Sequence, residues 1–146
     1  ENFTKKSLYI DKSNAATLYN LSEINEQKGN LKEAVELWKE AMMLESAARR
    51  FIAEIEQKSQ TGGREGFTRA KAEWLEDLIE KDYVYPTDLA KCYAVLGNKD
   101  KAIEWLEKGI EAKVPDILSI KYAPAFDNLR DDARFQKILE TMNFPK

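Results

Sequence analysis

Residues 88–108 read DLAKCYAVLGNKDKAIEWLEK, and residues 20–40 read NLSEINEQKGNLKEAVELWKE. Leu21, Gly29, Ala34, Trp38 and Ala41 fall on Leu89, Gly97, Ala102, Leu106 and Gly109, each at the same offset of 68. Within each stretch the apolar residues recur at three and four, as one buried helical stripe requires. Leu31, Ala34, Val35, Trp38, Ala41, Met42 and Leu44 form the first such stripe, and Ala102, Ile103, Leu106 and Ile110 form the second. Each is preceded by another helical run, one marked by Ala16, Leu18, Leu21 and Ile24, the other spanning about Thr87 to Leu96. Gly29 and Gly97 stand between the paired helices, where a residue at positive φ closes the first helix without steric cost. Asn30 with Glu33 predicts a capping box at the second helix, and Thr87 after Pro86 predicts an N-cap.

The offset of 68 is twice 34, so a middle unit is expected between the matched pair. Residues 45–59 carry Ala48, Phe51, Ile52 and Ile55, and residues 66–81 carry Phe67, Ala70, Trp74, Leu75, Leu78 and Ile79. Thr61-Gly62-Gly63 separates them as a loop signal. Gly63 follows Gly29 at half that offset, as the period requires, yet Ala70 and Trp74 follow Ala34 and Trp38 two positions later than it allows. That slip predicts a longer turn, through Gly62 to Gly66, and Asp77 stands where the next small residue belongs. Residues 113–146 open irregularly, with Pro115 and Pro124 and a stretch at 117–122 that could be extended. A helix is expected again from about Ala133 to Met142. The expected organisation is an N-terminal segment or the end of a preceding repeat over 1–13, hairpins over 14–48, 49–82 (degenerate) and 83–112, and a capping segment over 113–146.

The 34-residue period with its turn glycine, small residue and large residue resembles the tetratricopeptide repeat. The run Asp88 to Gly97 into Lys101 to Lys108, and the tail Ala125-Phe126-Asp127-Asn128-Leu129-Arg130-Asp131-Asp132-Ala133-Arg134-Phe135, resemble the C-terminal tetratricopeptide region of bacterial signalling and regulatory proteins. In that group the repeats follow a winged-helix, nucleotide-cyclase or Ser/Thr kinase domain. The resemblance implies an all-α fold: a tetratricopeptide-like right-handed α-solenoid of about three hairpins plus a C-terminal capping helix. Ala133 stands where the family usually has proline, with Asp132 as N-cap before it. A solenoid leaves its last apolar face open, and terminal units must cover it. Phe126, Leu129, Phe135, Ile138, Leu139 and Met142 are expected to lie against the helix of Trp105 and Leu106. Arg130 and Arg134 are expected to pair with Asp127, Asp131 or Asp132.

Composition narrows the chemistry. The 146 residues include 23 Lys and Arg, 26 Asp and Glu, one cysteine and no histidine, for a net charge of −3. Intrachain disulfides, histidine metal sites and imidazole triads are therefore excluded. The acidic balance argues against a nucleic-acid surface, which needs a local excess of cations. No stretch approaches the roughly 20 apolar residues of a membrane span, and no signal-peptide pattern opens the chain. The start at Glu1 suggests a piece of a longer protein, facing the cytoplasm or, as part of a membrane-anchored regulator, the periplasm.

Paired carboxylates are the one catalytic route left open, as in a small hydrolase. Glu73, Glu76, Asp77 and Glu80 lie among Lys71 and Lys81 at helical spacing, which marks a solvated face. Gly62-Gly63-Arg64-Glu65-Gly66 lacks the Gly-Lys-Ser/Thr of a phosphate loop and carries a repelling Glu65. Cys92, beside Leu89, Tyr93 and Leu96, reads as a small buried residue. Trp38 and Trp74 read as core, and Trp105 as a residue at the join with the cap.

The expected function is therefore non-catalytic, with no cofactor and no metal: capture of a protein or peptide, or of another part of the same chain, in a groove lined by first helices. By repeat phase the first unit offers Ala16, Tyr19, Glu23, Glu26 and Gln27. Thr87, Asp88, Lys91 and Val95 are offered by the third. Tyr19, Tyr83 and Tyr85 are candidate aromatic anchors. With Lys91 the one cation and Glu23 and Glu26 negative, a mixed or basic peptide fits better than an acidic chaperone tail. Self-association of a structural module is the competing expectation.

Overall fold

A computed structural model describes residues 14–79, 86–112 and 120–142. Every regular element among them is helical: α1 (Ala15–Gln27), α2 (Leu31–Met43), a 3-10 turn (Ser46–Phe51), α3 (Ile52–Ile79), α4 (Pro86–Val95), α5 (Lys99–Ala112), a second 3-10 turn (Pro124–Leu129) and α6 (Ala133–Thr141). Tyr83, Tyr85, Glu80, residues 1–13 and the expected extended stretch up to residue 119 lie outside the described residues. The chain divides into two compact units, one ending at Ala70 and the other starting at Lys71.

In the first unit α1 and α2 form an antiparallel hairpin. Leu18, Leu21, Leu37 and Ala41 make its core. Small residues let the two backbones approach: the buried Ser22 hydroxyl donates to the Ala34 carbonyl at 2.6 Å. Asn14 caps α1, its side chain accepting from the Thr17 amide at 3.3 Å. Gly29 closes it at φ 84°. The Gly29 amide donates to Glu26 and the Asn30 amide to Asn25, the paired 5→2 and 6→1 bonds that satisfy a helix's last carbonyls. The same pair recurs at the matched positions, Gly97 to Ala94 and Asn98 to Tyr93, with Gly97 at φ 79°. The expected capping box at Asn30 does not form: its side chain makes no bond to the first turn of α2 and instead donates to Asn25 Oδ1 at 3.5 Å. Asn98 does cap α5, accepting from the Lys101 amide at 3.2 Å.

The middle of the chain corrects the sequence reading twice. Residues 46–51 form a 3-10 turn, not the first turn of an α-helix, and Arg49 caps α2 there by donating to the Met43 carbonyl at 3.1 Å. The break in α3 is a single residue, Gly63, at φ 59° and ψ −141°. No longer turn is inserted. A straight helix would separate residues 58 and 66 by about 12 Å. Instead a Cβ added to Gly66 would collide with the Lys58 carbonyl oxygen, so the chain folds back at Gly63. Positive φ thus recurs at Gly29, Gly63 and Gly97, evenly spaced by one repeat length. The second arm then places Thr68, 1% exposed, where Ala34 and Ala102 stand in the matched hairpins. The apparent slip comes from reading Ala70 and Trp74 as those slots. Trp38 meets the buried Phe67 edge-on at 6.0 Å. Lys39 of α2 pairs with Glu56 of α3 at 3.2 Å.

In the second unit Leu89, Ala90, Ala94, Ala102 and Leu106 are fully buried between α4 and α5. Thr87 is not an N-cap: Pro86 and Thr87 both lie inside α4, where proline is tolerated because a first-turn amide has no helical partner. The tail folds over this hairpin. Its 3-10 turn packs on α4, and α6 packs on α5. Phe126, Leu129 and Phe135 are fully buried, and Ile138 nearly so. The sequence expectation places all of these against α5, whereas the 3-10 turn takes Phe126 and Leu129 to α4. Asp132 caps α6 as expected, accepting from the Arg134 amide at 2.9 Å. Arg130 pairs with Asp127 and Arg134 with Asp132, as expected.

Candidate functional site

The register shared by the matched hairpins sorts the expected groove residues by the direction they face. On α1, Leu18, Leu21, Ser22 and Glu26 are buried. The opposite stripe is Ala16, Asn20, Glu23 and Gln27, of which Glu23 is half-buried and the others are exposed. Gln27 donates to Glu23 at 3.4 Å along it. On α4 the equivalent positions are Asp88, Lys91 and Val95, all half-buried. Asn20 therefore aligns with Asp88, Glu23 with Lys91 and Gln27 with Val95. These two stripes, one in each unit, are the faces of the first helices that solvent reaches. Asn20 is missing from the expected groove residues, although the three- and four-residue spacing that links Ala16, Glu23 and Gln27 also places it on this stripe.

Tyr19 and Thr87 align with each other, and neither is an open anchor. Thr87 is fully buried. Tyr19 packs against Trp38 with ring centroids 4.4 Å apart and planes tilted by 54°, and donates its hydroxyl to Glu45 at 2.7 Å. Burial, and then the Glu45 carboxylate, hold its phenol well above the ordinary value. Glu26 aligns with the fully buried Ala94, and its own side chain is 6% exposed. Its carboxylate accepts from Arg64 Nε at 3.1 Å. Both Glu26 and Thr87 are thus withdrawn from the surface expected of them, because a helix turns about 100° per residue and both positions fall on the side of the hairpin core. Tyr83 and Tyr85 lie outside the described residues.

The remaining chemical candidates are accounted for locally. Arg64, the one cation of the glycine-rich segment, is engaged by Glu26. Glu76 accepts the Tyr93 hydroxyl. Cys92 is buried on α4. Trp105 is half-buried, with Lys108 Nζ 4.2 Å above its ring. Among the described residues no three Asp, Glu or Cys side chains gather as a metal site. No described helix is long and apolar enough to cross a membrane.

The tetratricopeptide repeat family model matches residues 15–47 and 87–113, which cover α1–α2 and α4–α5. No curated protein and no solved structure matches the chain.

Proposed function

We propose, starting from a chain that is a tetratricopeptide repeat protein by its matches at residues 15–47 and 87–113, that it serves as a non-catalytic docking module. Repeats of this kind are in general protein–protein interaction modules, and the family is typically non-catalytic. Rigid helices stacked in hairpins hold their exposed side chains in place, which lowers the ordering cost of binding a flexible segment. The single observation that carries the reading is the register-matched pair of outward stripes, Asn20-Glu23-Gln27 on α1 and Asp88-Lys91-Val95 on α4.

The stripes differ in charge at equivalent positions, Glu23 against Lys91. The α1 face favours a Lys- or Arg-bearing peptide segment. The α4 face, with Asp88 beside Lys91, favours a mixed one. Tyr83 and Tyr85 remain proposed anchors, and the half-buried Tyr19 is held by Trp38 and Glu45. The ligand is a separate protein or another stretch of the same chain in a larger regulatory protein.

Fluorescence anisotropy with two labelled peptides of about a dozen residues, one rich in Lys and one rich in Glu, tests this. The Lys-rich peptide is expected to bind, and Glu23→Lys to weaken it about tenfold, as removing and reversing one interfacial charge does. Binding of the Glu-rich peptide alone, or equal binding to wild type and E23K, overturns the assignment of the face.

A further inference from the structure

Among the described residues three large apolar side chains are exposed, Met43, Leu44 and Tyr122, and Tyr122 is the most open of them at 75%. It stands just before the second 3-10 turn, the one that packs on α4. Ile120, Ala123, Phe126 and Leu129 are buried at intervals of three, the period of a 3-10 helix, and fasten this stretch to the second unit. Tyr122, Ala125 and Asn128 form the row beside them: exposed, half-buried and exposed. Asn128 Nδ2 donates to the Ala94 carbonyl of α4 at 2.8 Å, so this row borders α4. That bond joins residues one repeat length apart, and Tyr122 stands at the same interval from Asp88, the first residue of the outward stripe on α4.

The backbone that carries this ring is tied down on both sides. Arg130 Nη1 donates to the Lys121 carbonyl at 2.7 Å and Nη2 to the Ala123 carbonyl at 3.2 Å, and these two residues flank Tyr122. Nε of the same guanidinium donates to Asp127 at 3.1 Å, which offsets its charge. An aromatic side chain on a fixed backbone offers a large contact area and loses little freedom when a partner covers it. Lys121 Nζ lies 5.6 Å from the centre of the Tyr122 ring, so the aromatic surface has a cation at its side.

We propose that Tyr122 and Lys121 extend the α4 face, and that the segment docked there lays an apolar side chain on the Tyr122 ring and turns a carboxylate toward Lys121 and Lys91. This rests on the docking reading and adds the chemistry of the partner to it. Asp88-Lys91-Val95 by itself suits a mixed segment. Lys121 gives the enlarged face a second cation against the single acid Asp88, and Tyr122 gives it an aromatic anchor, which together select an acidic-apolar segment.

NMR titration of the isotope-labelled full chain with synthetic peptides tests the extension. The probe is a Gly-Ser peptide of about a dozen residues with a central Glu-Phe-Glu, and a second peptide has Ser in place of the Phe. The amides of α4 and of Tyr122 are expected to shift along one saturation curve with the Phe peptide. Replacing the Phe, or making Tyr122→Ser in the protein, is expected to weaken binding about tenfold, as loss of an aromatic anchor does, whereas Tyr122→Phe keeps it. Unchanged amide shifts in α5 check that each variant is folded. Shifts in α4 with the same affinity in Y122S overturn the extension and leave the docking reading standing. No shift in α4 with the Phe peptide also overturns it, and the docking reading is then decided by the Lys-rich peptide at Glu23.

Discussion

Gly66 and Gly62 both lie on α3 and predict opposite outcomes for the same substitution. Gly62 has open space where a Cβ would stand, whereas at Gly66 that atom would meet the Lys58 carbonyl oxygen. Gly66→Ala is expected to destabilise the chain by about 2–3 kcal/mol, since backbone on both sides resists the displacement. Gly62→Ala is expected to stabilise it by about 0.5 kcal/mol through the unfolded state. Urea midpoints at unchanged m-value check both. Asp132 makes a second residue-scale prediction. Hydrogen bonds from the Arg134 side chain and amide hold its carboxyl down to about 2 from the ordinary 3.8. A depressed carboxylate contributes its stability above the unfolded value and loses it as pH falls through the folded one. Between about pH 4 and pH 2, α6 should therefore loosen, and Asp132→Asn, which keeps the cap but not the charge, should flatten that step. Chemical shifts of the α6 amides across a titration of both proteins report it; identical profiles contradict the assignment.

At the scale of elements, the hairpins owe their shape to two kinds of position. Small residues bring paired helices together, as Ser22 with Ala34 and Ala90 with Ala102 do, and one glycine at positive φ turns the chain between them. Both kinds are legible as a period, because the geometry that demands them recurs with every unit. The middle turn reads as too long in the sequence for a physical reason. Ala70 and Trp74 carry the strongest apolar signal there, yet Thr68 takes the small position by sending its hydroxyl back to the Arg64 carbonyl at 2.8 Å. A polar residue that satisfies itself within its own helix leaves no trace in an apolar pattern. The tail's aromatic residues are the main fastening of the 3-10 turn and α6. Phe126 and Phe135 are fully buried with ring centroids 6.0 Å apart. Phe126→Ala is expected to cost about 3–5 kcal/mol, measured by denaturant unfolding. A loss under about 1 kcal/mol would mean that the turn contributes little to the fold.

For the whole molecule, the composition excludes imidazole chemistry, since the chain has no histidine, and its one cysteine is buried. The docking reading predicts a salt dependence. Contacts to the outward charges Glu23 and Lys91 are partly screened beyond a Debye length, about 10 Å at 0.1 M salt. Affinity for the Lys-rich peptide should fall about fivefold or more between about 50 and 500 mM salt. An affinity that rises with salt would place the binding on apolar surface instead.

The sequence by itself determined the helical class, the repeat register, the turn glycines at 29 and 97 and the cap at Asp132, because each follows from local backbone geometry that a few residue types satisfy. Only the tertiary structure decided which side of each first helix faces out. Glu26 looks exposed by its charge and is enclosed by Arg64; Thr87 looks like a cap and is buried; Tyr19 looks like an anchor and is held by Trp38 and Glu45. Those assignments depend on partners from other helices, distant along the chain, and periodicity along one segment holds no record of what comes to rest against it.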